Sequence, residues 1–219
     1  MQIRALSPLA AIAAASLLTS CATAPPAPDY DALLSAMMKS SFRDQGIATV
    51  DRLAQTESDA ACTQAQSRGQ ALPEAQAKTI EAASLATVQW PADGRFIGDW
   101  QEGEKLAQSG RGMTWNEPST ATSANGGNCY NCHQIAPAEI SYGTLGPSLY
   151  RYGRDRGVSD PASAEAKAIV TYTWGKLYNA KAYNACSGMP RFGHAGLLDE
   201  AQLKNLMALL LDPQSPVNK

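Results

Sequence analysis

Two histidines and five cysteines are all that this chain of 219 residues offers among the side chains that most readily bind metals through nitrogen or sulfur. Charged side chains make up only 17% of it, and the formal charge of −2 at pH 7 is close to neutral, so there is no sign of a nucleic-acid partner. There is no internal repeat, no strand-like alternation of any length, and no apolar run of the roughly 20 residues that cross a bilayer. A second C-x-x-C pair is also missing. What remains is an apolar fraction of 44%, ordinary for a folded globular chain. A chain of this length is either one large domain or one small domain with additions.

The N-terminus has its own character. "MQIRALSPLAAIAAASLLTSC" opens with Arg4 and continues as an apolar run from Ala5 to Leu18. The run is too short to span a bilayer and has the form of an export signal. Leu18-Thr19-Ser20-Cys21 resembles the bacterial lipobox, and that resemblance implies lipidation of Cys21, the alternative being ordinary cleavage a few residues later, after "ATA". The expected location is the periplasm, with acyl chains holding the domain at a membrane. The expected layout is a signal at 1–20, an extended Pro-rich tether at 21–29, a helical extension at 30–92, and a domain at 93–219 on which that extension packs.

In the oxidising compartment that export implies, disulfides persist. Cys129 and Cys132 belong to a motif and Cys21 to the lipid. Cys62 and Cys186 are left as one pair, expected to be bonded. The rival role for Cys186 is a reactive thiol.

Residues 30–88 are rich in Ala, Gln, Leu and Met and read as two or three helices, among them Ser58–Arg68 and Glu74–Thr87. Met37 and Met38 are expected in the core. "GDWQEGEKLAQSGRG" reads as a helix capped by Asp99 and ended by Gly110 or Gly112, in which Gly103 signals a close approach by another helix. A further helix opens at "PASAEAK", and "LLDEAQLKNLMALLLDP" is another, with Leu203, Leu206, Met207 and Leu210 as its stripe and Pro213 as its stop. The fold class is all-α.

The chemistry lies in "NCYNCHQIAP", where Cys129, Cys132 and His133 stand as C-x-x-C-H. A structural zinc site needs four ligands, usually as two close pairs, and no second pair exists. A thioredoxin-like dithiol sits near a βαβ pattern, which is absent. Haem accounts for each residue: two thioethers from Cys129 and Cys132, and iron ligation by His133. One covalently attached haem c is therefore the expected cofactor. For the sixth ligand, Met113 is too close to the motif and Met207 lies on a core stripe. Met189, in the irregular "SGMPRFG" loop, is the first candidate and His194 the rival.

Four pieces in order, "GDWQEGEKLAQSGRG", "CYNCH", "GPSLYRYGRDRG" and "SGMPRFG", closed by the last helix, resemble class I cytochromes c. The resemblance implies that Gly103 meets the Leu206/Leu210 region, and that Pro147 lends its carbonyl to His133. It implies that Gly146, Leu149 and Arg154 belong to the same haem-binding segment, and that Trp174 lies where an aromatic meets a haem propionate. "GNCYNCHQIAPAEISYGTLGPSLYRYGRDRG" and "CSGMPRFGHAGLLDEAQLKNLMALLLDPQSPVNK" are similar to the SoxX family, the monohaem subunits of the SoxAX cytochromes of bacterial sulfur oxidation. That similarity covers residues 93–219. It implies an electron-accepting subunit, not an enzyme alone, of a complex that oxidatively links thiosulfate to a carrier-protein cysteine. The implied partners are a SoxA-like haem subunit, the carrier SoxYZ and a small cytochrome c as acceptor. Alternatives are a free-standing monohaem electron carrier, and a haem sensor or peroxidase with an open sixth site.

Overall fold

A computed structural model describes residues 27–219; the signal segment, Cys21 and the first part of the tether lie outside the described residues. Among the described residues every regular element is helical, and the one β-bridge is the isolated pair Gln45–Ala48. The protein is all-α. Its helices are α1 (Tyr30–Ser41), α2 (Glu57–Ser67), α3 (Glu74–Ala86), α4 (Trp100–Gln108), α5 (Lys167–Tyr178) and α6 (Glu200–Leu211), joined by loops and short 3-10 turns.

The chain divides into two compact units, one ending at Phe42 and the other covering Arg43–Lys219. In the first, Asp29 caps α1 by accepting a hydrogen bond from the Ala32 amide at 2.9 Å. No residue of α1 is buried. Met37 is 51% exposed and Met38 half-buried, so neither is a core residue, contrary to the expectation from composition. Tyr30, Leu33, Leu34 and Met37 recur at helical spacing, but their unit supplies no second described element to cover them.

The second unit is built around α4, α5 and α6. Each of the outer two starts on a carboxylate: Asp99 accepts from the Gln101 and Glu102 amides, and Asp199 forms a capping box with Gln202. α4 crosses α6 at Gly103. A Cβ there would lie 2.1 Å from the Asn205 carbonyl oxygen and 3.0 Å from Leu209 Cβ, so only glycine permits the approach. The contact falls on Asn205 and Leu209, one residue before the expected Leu206/Leu210. The reason is polar: the Asn205 side chain accepts from the Asp99 amide and the Lys204 carbonyl accepts from the Gly98 amide, both at 2.9 Å, which fixes the register. Leu206 and Leu210 are buried in the core.

That core is formed by Leu203, Met207, Leu209 and Leu211 of α6, with Ile135, Trp174 and Val217 also fully buried. Phe96 meets the Trp174 ring edge-on at 5.5 Å. The chain's end is fastened as well. Asn218 donates to the Leu210 and Asp212 carbonyls, while its own oxygen accepts from the Gly153 and Arg154 amides. The loop after the C-x-x-C-H is thus tied from below by the C-terminal residues.

Candidate functional site

Cys129–Asn131 forms a 3-10 turn entered through Asn128, whose φ of +50° is unusual for a residue other than glycine. The Cys132 and His133 amides both donate to the Cys129 carbonyl, at 3.1 and 2.9 Å. One tight turn therefore presents both thiols and the imidazole together. Both thiols are free and partly buried. Burial pushes the Cys129 thiol up to about 12, which favours its neutral form.

The imidazole is held from two sides. His133 Nδ1 lies 2.7 Å from the Pro147 carbonyl oxygen. A carbonyl can only accept, so Nδ1 carries the proton and the Nε2 lone pair is left for a ligand bond. Gly146 lies flat against the ring: a Cβ at that position would stand 2.1 Å from Cε1 and 2.4 Å from Nδ1. The segment that carries Gly146 and Pro147 is pinned to the motif by three backbone bonds, Gly143 to Tyr130 and Gly146 to Cys132 at 2.8 Å, and Leu149 to Gln134 at 2.7 Å. On the other flank the Gly127 amide donates to the Leu106 carbonyl at 2.7 Å, and a Cβ there would touch Cys129 Sγ at 2.9 Å. These cradles and the free Nε2 fit a porphyrin edge bonded to Cys129 and Cys132 with His133 on the iron.

Cys129, Leu149 and Met189 all pack, half-buried, against the same core cluster. His194 is exposed, its ring pushed below its ordinary 6.5 by partial burial and then by the Arg191 charge. Two further sequence candidates have bonds of their own. The single N–H of Trp174 donates to the Gln89 carbonyl at 2.8 Å, so its only donor is spent on joining α5 to the segment after α3. Arg154 is exposed, and its anchorage is its backbone amide on Asn218.

The Cys62–Cys186 disulfide is present, joining α2 to the loop that carries Met189. Between Glu139 and Gly146 the chain exposes Ile140, Tyr142 and Leu145, the first and last almost completely. Sequence reasoning missed Gly127, Gly143 and Asn128. The run "GGNC" was the signal that could have found the first and last, since glycines and Asn are the residues that tolerate close approach and positive φ. Among the described residues no group of three or more His, Cys, Asp and Glu forms a metal cluster. Nor is any described helix long and apolar enough to cross a membrane.

Over 138 residues the chain is 38% identical to an uncharacterised lipoprotein of Aquifex aeolicus (strain VF5), a match covering 61% of this chain and 59% of that protein. The chain thus spans about three-fifths of the length of the curated relative it matches. No family model matches the chain.

Proposed function

We propose that residues 93–219 are a class I cytochrome c domain that carries one covalently attached haem c, and that the protein is the SoxX-like, electron-accepting subunit of a SoxAX complex. When bound, the haem would supply an iron centre that takes up and gives back single electrons. The chain's residues do the rest. Cys129 and Cys132 would hold the group by thioethers, and His133 would ligate through Nε2. Pro147 fixes the proton and the ring plane at Nδ1. Gly146 leaves the ring room, and Met189 would be the sixth ligand. The observation that carries the reading is the His133–Pro147 bond with Gly146 beneath the ring, immediately beside C-x-x-C.

The relative's name and the lipobox together support a lipid-anchored protein, attached through Cys21 and facing the periplasm. A lipobox is not a general feature of SoxX. It favours one second reading, a membrane-tethered monohaem carrier serving an oxidase or another dehydrogenase.

Co-purification separates the two. A stable heterodimer with a SoxA-like haem protein, reduced by thiosulfate when SoxYZ is added, is the expected result for the first reading. A monomer that stays oxidised even with SoxA and SoxYZ supplied refutes it and leaves the tethered carrier.

A further inference from the structure

We propose that the Cys62–Cys186 disulfide, with the Lys181–Asp59 ion pair beside it, is the clamp that holds the Met189 loop, making α2 a positioning element for the sixth haem ligand. This rests on the reading of Met189 as that ligand.

The loop has little to hold it from within. Ala185 and Phe192 are buried, but between them Cys186, Gly188 and Pro190 are exposed, and a Cβ on Gly188 would meet nothing within 4 Å. Three of its hydrogen bonds are local: Cys186 and Ser187 amides to Asn184, and the Met189 amide to Ser187 Oγ at 3.3 Å. A cavity of about 740 Å³ lies alongside, lined among others by Arg52, Gln55, Cys62, Cys186 and Ser187, so packing does not close that side. Downstream of Met189 the segment is held by buried Phe192 and by the His194 amide, which donates to the Tyr178 carbonyl at 3.0 Å; upstream the ties run to the N-terminal helices. The Ala185 amide donates to Glu81 of α3 at 3.2 Å, and Cys186 is bonded to Cys62 of α2.

The helix at the other end of the disulfide is itself thinly held. No residue of α2 is buried. Its polar link is Lys181, 4% exposed, which donates to Ser58 Oγ at 2.7 Å and to the Asp59 carboxylate. Burial raises the Asp59 carboxyl, but the Lys181 and Thr56 hydrogen bonds outweigh it and hold it below its ordinary 3.8. Disulfide and ion pair therefore act on one seam, at Cys186 and Lys181 of the chain leading into Met189. Because Cys186 is bonded to Cys62, the loop cannot swing out without carrying α2 with it. A thioether kept close to the iron would have a high effective concentration there against solvent or an added gas.

The test uses the full holoprotein in two forms. In one, the disulfide is reduced by a phosphine, the thiols are alkylated, and the iron is reoxidised with ferricyanide. In the other, Cys62→Ser and Cys186→Ser are combined, with folding checked by a cooperative melt. Haem content is measured first, then the far-red charge-transfer band of Met-ligated ferric haem and carbon monoxide binding to the reduced form. The expectation is unchanged haem content, a far-red band reduced at least twofold, and at least fivefold more protein binding carbon monoxide. A full band in both forms, with free or alkylated thiols confirmed at Cys62 and Cys186 in the first, overturns the clamp and leaves the haem reading intact. An untreated protein without haem overturns both.

Discussion

A single hydrogen bond decides what His133 can offer. With the proton held at Nδ1 by Pro147, the ring has one lone pair free, at Nε2, and Gly146 prevents it from turning away. The types and order of these residues were readable from the sequence, because C-x-x-C-H and the downstream Gly-Pro carry the resemblance themselves. The cradle at Gly127 and the left-handed Asn128 were not, because close approach is a property of folded backbone and leaves only a glycine or Asn as its trace. Trp174 shows a bond that the sequence left unread: its one donor goes to the Gln89 carbonyl, a partner that nothing in its position signals. For the sixth ligand the residue-scale prediction is direct. Met189→Ala is expected to abolish the far-red band of the ferric protein and to open the iron to carbon monoxide, both read by absorption spectroscopy. An unaltered spectrum shifts the ligand to His194.

Among the elements, α4 and α6 were legible because their capping carboxylates and apolar stripes are local features. Their crossing was legible only to within one residue. The side chain that sets the register, Asn205, is a polar residue on a helix read for its leucines, and its partner amide at Asp99 lies far away in sequence. Helix α1 has the apolar spacing of a packed helix but buries none of its residues, so composition alone gave Met37 and Met38 a burial they do not have. At the crossing, Gly103→Leu sets a side chain against the Asn205 carbonyl, which is backbone and cannot rotate aside. The expected cost is about 3 kcal/mol, in the range of core overpacking. For a chain of this size that lowers Tm by roughly 6–12 °C in a thermal melt. A shift under about 2 °C would mean that the helices do not meet there.

For the whole molecule, backbone bonds hold the C-x-x-C-H turn between Gly127 and the Gly146–Pro147 segment, while Met189 lies on a separate loop tied to α2 by the disulfide. The oxidising compartment proposed for the chain would permit the Cys62–Cys186 disulfide and would also suit a covalently held cofactor, since a dissociated haem would be lost there. The central claim is that Cys129 and Cys132 are thioether-bonded to one haem. Intact and peptide mass spectrometry, with a pyridine haemochrome spectrum, on protein exported by a host competent in cytochrome c maturation tests it most directly. One haem per chain is expected, on the peptide containing Cys129, Cys132 and His133. Protein of the unmodified mass, with two free thiols on that peptide, would contradict it.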